Sequence, residues 1–416
     1  MHVEPNAYFS LGIKMKSVKF ILASLLILGC YFPAHAEMKT FIKEYTYQAS
    51  DFDSKISSRT IALEQVKRLL LEEVGTFLIS ETEVKNFQLT KDKISILSAG
   101  IIHTEILAEK WDGKTYYLKV RASVDPQNVT RLLAELRNNS QKNQELEETN
   151  RKVNEALEKI KELQSAHTAK PNSDGKQNEY SKAIDELKSK EWLDKGVALM
   201  NEEKYTEALN AFNKAAEINP ASVWAHINRG WAMNTVGDYY QALKVYDKAA
   251  DIDPRNPYIY VNRGMSYNSI GDYQRALLDE DQAITLDANN SWAYIGRARA
   301  YLGIGNYHQA LADLNKASQL EPGNYFAYSS RVWAHNALGN HRQAREDLDR
   351  SLNLAPNNSW MNWNAAVFYA LAGEKGKALA ALKKAIRLNS TLKRNAKTDK
   401  NLQSLWNDAD FRKLVE

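Results

Sequence analysis

The feature that most limits what this chain can fold into is a step of 34 residues. Ala208, Ala242, Ala276, Ala310, Ala344 and Ala378 follow one another at that interval. A strict period of this length is the mark of a solenoid built from one repeated supersecondary unit. Other positions keep the same step. Gly196, Gly230, Gly264, Ala298 and Ala366 lie twelve residues before their alanines, with Val332 the bulky exception, and Ala215, Ala249, Ala283, Ala317, Ser351 and Ala385 lie seven after. Small side chains there let helix backbones approach closely. Large ones fill the gaps: Tyr267, Tyr301 and Tyr369 on one helix, and Tyr205, Tyr239, Tyr273 and Tyr307 at the start of the next. Gly237, Gly271, Gly305, Gly339 and Gly373 supply the turn between the two helices. Pro220, Pro254, Pro322 and Pro356 close the second helix, because proline cannot continue a helical ladder.

This order of a small residue, an aromatic, Gly-Asp-Tyr, Ala-Leu, Ala and Asp-Pro resembles the tetratricopeptide repeat, most closely in "NRGWAMNTVGDYYQALKVYDKAADIDP" from Asn228 to Pro254. The resemblance covers residues 189–390 as six units and implies a right-handed α-solenoid. Glu280 departs from it by replacing an apolar residue, and His335 and His341 by replacing tyrosines. After Ser390, Leu402, Leu405, Trp406, Phe411 and Leu414 keep a helical period, so residues 391–416 are expected to form a helix capping the array with a polar outer face.

The chain's 416 residues exceed one ordinary domain, and the array takes about half. With 55 basic and 51 acidic residues the net charge is only +4, which gives no nucleic-acid footprint. Lys16 and Lys19, the apolar run Phe20–Gly29 and Ala34-His35-Ala36 read as an export signal over residues 1–36, with 1–14 an upstream extension. The expected place is the periplasm. Cys30 after "ILG" offers the alternative of a lipoprotein signal, and an anchor there would tie the protein to the outer membrane.

Residues 37–125 are expected to be a small α+β domain. Ile61, Val66, Leu69, Leu70 and Val74 stripe a helix over Ser57–Phe77, and strand-like alternation follows around Ile94–Ile106 and Tyr116–Val120. Trp111-Asp112-Gly113-Lys114 is a hairpin turn. The order of this helix, the Ser-Ala-Gly-Ile strand and the Asp-Gly hairpin resembles the amino-terminal domain of flagellar assembly protein T, which implies a periplasmic docking role without catalysis. Residues 126–164 are expected to be a coiled-coil helix. Val129, Leu132, Leu136, Asn139, Asn143, Leu146, Asn150, Val153, Leu157 and Ile160 form a seam that would pair with a second copy through 129–160. Residues 165–188, with Lys170-Pro171-Asn172-Ser173-Asp174-Gly175, read as a flexible linker.

No reactive constellation stands out. There is no His-Glu-x-x-His pair, the lone cysteine lies in the signal, and no glycine-rich loop follows a strand, so neither enzyme nor cofactor is expected. What remains is a surface. In this repeat the first helix of each unit lines the concave side. Its second position carries Lys190, Trp224, Tyr258, Trp292, Phe326 and Trp360, its sixth Asn228, Asn262, Ser330 and Asn364, and its seventh Arg229, Arg263, Arg297 and Arg331. Aromatic residues and arginine anchor protein interfaces, and asparagine pairs with peptide backbone. The expected function is an exported scaffold gripping a partner protein or peptide, in cell-envelope assembly. The alternative is a receptor stacking glycan or peptidoglycan rings on the same aromatics, and the bland reading has the arginines paired with nearby carboxylates. The order of coiled coil, linker and repeats also resembles the periplasmic coordinator of outer-membrane constriction, which implies an envelope role.

Overall fold

The computed structural model describes residues 38–80, 104–124, 140–167 and 174–416. The export signal, Cys30, Ile94–Ile102 and the seam residues Val129, Leu132, Leu136 and Asn139 lie outside them. The amino-terminal elements are β1 (Lys39–Gln48), α1 (Lys55–Ser80), β2 (Thr104–Trp111), β3 (Thr115–Val124) and α2 (Ser140–His167). β3 is central and antiparallel to both neighbours, giving the order β1-β3-β2. Its inward residues Tyr116, Leu118, Val120 and Ala122 pack with Ile61, Val66, Leu70 and Val74 of α1. The hairpin is where the Asp-Gly signal puts it. Asp112 accepts hydrogen bonds from the backbone N–H groups of Lys114 and Thr115 at 2.8 and 2.6 Å, and Gly113 takes a positive φ.

The linker expectation fails next, and part of the seam finds a partner within the chain. Residues 174–188 are not linker: they are the first half of α3 (Asp174–Asn201), a single helix that runs on into the array. The described part of the heptad seam packs within the chain. Val153, Leu157 and Ile160 of α2 are buried in the same core as Tyr180, Ala183, Ile184 and Leu187 of α3 and the face of the sheet. The helices run antiparallel, with Lys159 against Glu179 at one end and Lys142 beside Asp194 at the other. An apolar stripe is satisfied by whichever apolar face meets it first, so the seam does not require a second copy.

A polar knot fixes this arrangement. The Asp53 carboxylate accepts from the Ser50 N–H and Oγ at 2.6 and 2.7 Å and from Tyr47 at 2.9 Å. It also accepts from Tyr180 of α3 and from Gln164 of α2. Burial and the facing carboxylate push both phenols above their usual range, so they stay protonated donors.

Six helix pairs then follow the 34-residue step: α3 with α4 (Tyr205–Ile218), α5 (Val223–Val236) with α6 (Tyr239–Ile252), and α7 (Pro257–Ser269) with α8 (Tyr273–Leu286). The later pairs are α9 (Ser291–Gly303) with α10 (Tyr307–Leu320), α11 (Tyr325–Ala337) with α12 (His341–Leu354), and α13 (Ser359–Leu371) with α14 (Lys375–Leu388). From the second pair on, the turn glycines all take φ between +73° and +88°, a conformation costly for any residue bearing a Cβ.

Within each pair the packing rests on volume complementarity across the small residue of the first helix. Where it is glycine, the facing residue of the second helix is long: Phe212 against Gly196, Tyr246 against Gly230 and Glu280 against Gly264. Where it is Ala298, Val332 or Ala366, the corresponding residue is Leu314, Leu348 or Leu382.

The carboxyl-terminal cap is broken rather than one helix. It comprises α15 (Leu392–Ala396), a 3-10 turn (Lys400–Leu405) and α16 (Ala409–Val415), with Asp408 restarting the helix by capping the N–H groups of Asp410 and Phe411. The expected apolar residues Leu402, Leu405 and Phe411 still bury against Trp363, Val367 and Leu382.

Candidate partner-binding wall

The aromatic row is aimed by its caps. Asn256, Asn290 and Asn324 stand before three first helices, and each side-chain oxygen accepts at 3.1 Å from the N–H of the row's own residue: Tyr258, Trp292 and Phe326. Rings of the row meet in two pairs. Trp224 and Tyr258 lie 5.9 Å apart between ring centroids, and Trp292 and Phe326 lie 5.1 Å apart. Its exposure is not uniform. Trp224 and Tyr258 are buried, Trp292 and Phe326 half-buried, and Trp360 is 50% exposed.

The chain itself covers the first end. Lys190 of repeat 1 is enclosed beside Asp194 at 2.5 Å and Glu64 of α1 at 4.0 Å. Burial alone would lower its pKa, but the two carboxylates outweigh that and hold it above the usual lysine range. In repeat 2, the Trp224 indole N–H donates to Glu148 of α2 and the Asn228 amide to Glu145, each at 2.8 Å. Lys152 and Lys142 of α2 neutralise those glutamates at 3.1 and 2.9 Å. Trp224 and Asn228 therefore serve the chain's own architecture, which corrects their assignment to a free groove. Asn262 is buried and donates to the Tyr258 carbonyl, holding its own helix.

Three of the arginines are also engaged within the array. Arg263 makes a two-pronged bond to Asp279 of its own repeat (2.8 and 2.7 Å) and a third to Asp247 of the repeat before (2.7 Å). Arg297 repeats this on Asp313 and Asp281, and Arg331 on Asp347 and Asn315. Each partner sits sixteen residues before or after its arginine, so the 34-residue step carries the ladder from repeat to repeat. The partners raise Arg263 and Arg297 above the usual guanidinium range, so these cations stay bound inside the array. Arg229 has Val245 where the carboxylate would stand; its buried Nε has no partner among the described residues, and burial lowers its pKa.

What stays open is the wall of repeats 4–6. Trp292, Phe326 and Trp360 line it, with Ser330 half-buried and Asn364 donating to Ser329 Oγ at 3.0 Å. Sequence reasoning missed Arg299, which lies two helical turns after Trp292, is exposed, and stands close enough to the buried Glu280 carboxylate for the two charges to interact. It breaks the local repeat pattern, and that was its only signal. Elsewhere, His335 has burial lowering its pKa beside Asp347 at 3.7 Å, and His341 bonds Asn336 at 3.1 Å. Among the described residues no three His, Cys, Asp or Glu side chains gather to hold a metal ion, and no helix is long and apolar enough to cross a membrane.

Tetratricopeptide-repeat family models match residues 189–222, 236–271, 257–290, 295–359 and 330–392, so this part of the chain is a tetratricopeptide array. Arrays of this class are protein-interaction scaffolds. No curated protein matches the sequence significantly. Among solved structures, a tetratricopeptide repeat protein from Parabacteroides merdae is 18% identical, covering 62% of this chain and all of that one at a TM-score of 0.44. A thermophilic repeat protein of Thermus thermophilus is 20% identical over 44% of this chain and 95% of its own, at 0.39. YrrB, described as a TPR protein with an unusual peptide-binding site, is 21% identical over 42% and 92%, at 0.31.

Proposed function

We propose that the chain is an exported, non-catalytic scaffold of the cell envelope that holds a partner protein against the wall of repeats 4–6. One observation carries this reading: the chain's own helices cover the row at repeats 1–2, yet it continues in the same register to Trp360, which is left half exposed among the described residues. A large aromatic left half exposed is the residue type on which interfaces concentrate their binding energy. The export signal and the resemblance of residues 37–125 to an assembly-protein domain support the envelope setting.

Affinity capture from envelope extract tests the reading. Changing Trp292, Phe326 and Trp360 together to alanine removes at least 90% of the captured partner, while Trp224→Phe, on the covered part of the row, keeps it. Equal capture by the triple variant, with its circular dichroism melt unchanged, contradicts the proposal. Recovery of sugars without protein favours the glycan-receptor alternative, since indole rings also stack on sugars.

A further inference from the structure

The wall of repeat 2 shows how such a wall is occupied, and repeat 6 carries the same pair of donors uncovered. Trp224 and Asn228, four apart on α5, take Glu148 and Glu145, three apart on α2: two carboxylates on one helical face meet two donors on another. Trp360 and Asn364 hold the identical repeat positions and the identical four-residue spacing on α13. Trp360 is 50% exposed, against 2% for Trp224, and its indole N–H has no acceptor among the described residues. The Asn364 amide uses one hydrogen on Ser329 and has a second to give.

The charge at this end of the array fits the same ligand. Residues 375–400 hold nine Lys or Arg and a single carboxylate, Asp399. Lys375 and Lys377 are engaged by Asp408 and Glu374; the excess at the other seven sets up a positive field at this end of the array.

We infer that Trp360 and Asn364 receive an acidic amphipathic helix of a partner protein, through two carboxylates three or four residues apart, as Trp224 and Asn228 receive α2. This rests on the open wall being the binding surface and names the chemistry of what it takes.

The probe is a fluorescein-labelled peptide of residues 140–167, titrated into the full-length protein by anisotropy at 50 mM salt. Saturable micromolar binding is expected, weakened at least tenfold by Trp360→Ala and by Trp360→Phe, which keeps an aromatic ring and loses only the donor. The peptide with Glu145→Gln and Glu148→Gln weakens as much, and 300 mM salt weakens the native peptide further. An unchanged circular dichroism melt of each variant shows that the fold is kept. No binding at 300 µM, or binding indifferent to the glutamates or to Trp360, overturns the inference. A partner captured through Trp292, Phe326 and Trp360 whose contact segment carries no paired carboxylates overturns it too, and leaves the scaffold function standing.

Discussion

Changing Glu280 to leucine makes the array more stable at pH 7.5, by about 2 kcal/mol, the cost of a buried polar group without a partner. Glu280 is wholly buried, and neither carboxyl oxygen has a hydrogen-bond partner among the described residues. It lies against Gly264 and Gly296, where an added Cβ would fall 2.5 and 1.9 Å from its Oε1. The other repeats place Phe212, Tyr246, Leu314, Leu348 and Leu382 there, so leucine suits the site. Burial, reinforced by Asp279 and Asp281, pushes the carboxyl well above its usual 4.5, while Arg299 and Arg297 pull it down less strongly. The raised value makes the native state prefer the protonated form. The side chain is therefore best tolerated below pH 4.5, and its contribution to stability falls as pH rises toward the folded-state value. Thermal melts between pH 5 and 8 read this directly: the wild-type midpoint falls relative to those of Glu280→Leu and Glu280→Gln. A leucine variant that melts lower than the wild type at every pH would mean that the carboxyl has a partner.

Gly230→Ala costs roughly 2 kcal/mol, although alanine is the better helix former by about 1 kcal/mol. The new Cβ would lie 2.5 Å from the ring of Tyr246, which is fully enclosed and cannot swing away. Its hydroxyl is also tied, accepting from Asn234 at 3.3 Å. Repeats 4 and 6 solve the same crowding with alanine opposite leucine, as in Ala298 with Leu314 and Ala366 with Leu382. Gly230→Ala in a Tyr246→Leu background therefore costs little or nothing. A urea-denaturation cycle over the two sites gives a coupling of at least about 1 kcal/mol, well beyond the scatter of independent sites. Additive losses would show that the pair does not set the packing.

The array was legible because one spacing repeats its physics: small residues, turn glycines and closing prolines each identify a position by steric need. Helix α1 and the Asp-Gly hairpin were legible for the same local reasons. β1 was missed, though Phe41, Lys43, Tyr45 and Tyr47 alternate inward along it, because a lysine stands on its inward face and Ile42 on its outward one. The helical 174–188 segment was hidden by Lys170–Gly175, whose proline and glycine suggest a loop running on past Asp174. The arginine ladder was readable in principle, since Asp247, Asp279, Asp281, Asp313 and Asp347 keep the sixteen-residue offset. The covering of Trp224 was not. It depends on where α2 lands on a wall 76 residues away in sequence, and no local pattern encodes that.

Site-specific photocrosslinking in intact cells tests the central claim most directly. With p-benzoylphenylalanine in place of Ser330 or Trp360, the account predicts an adduct with another protein; with it in place of Trp224, adducts form only within the chain. A partner adduct absent from both 330 and 360, or formed from the outer face at Arg350 instead, would contradict it.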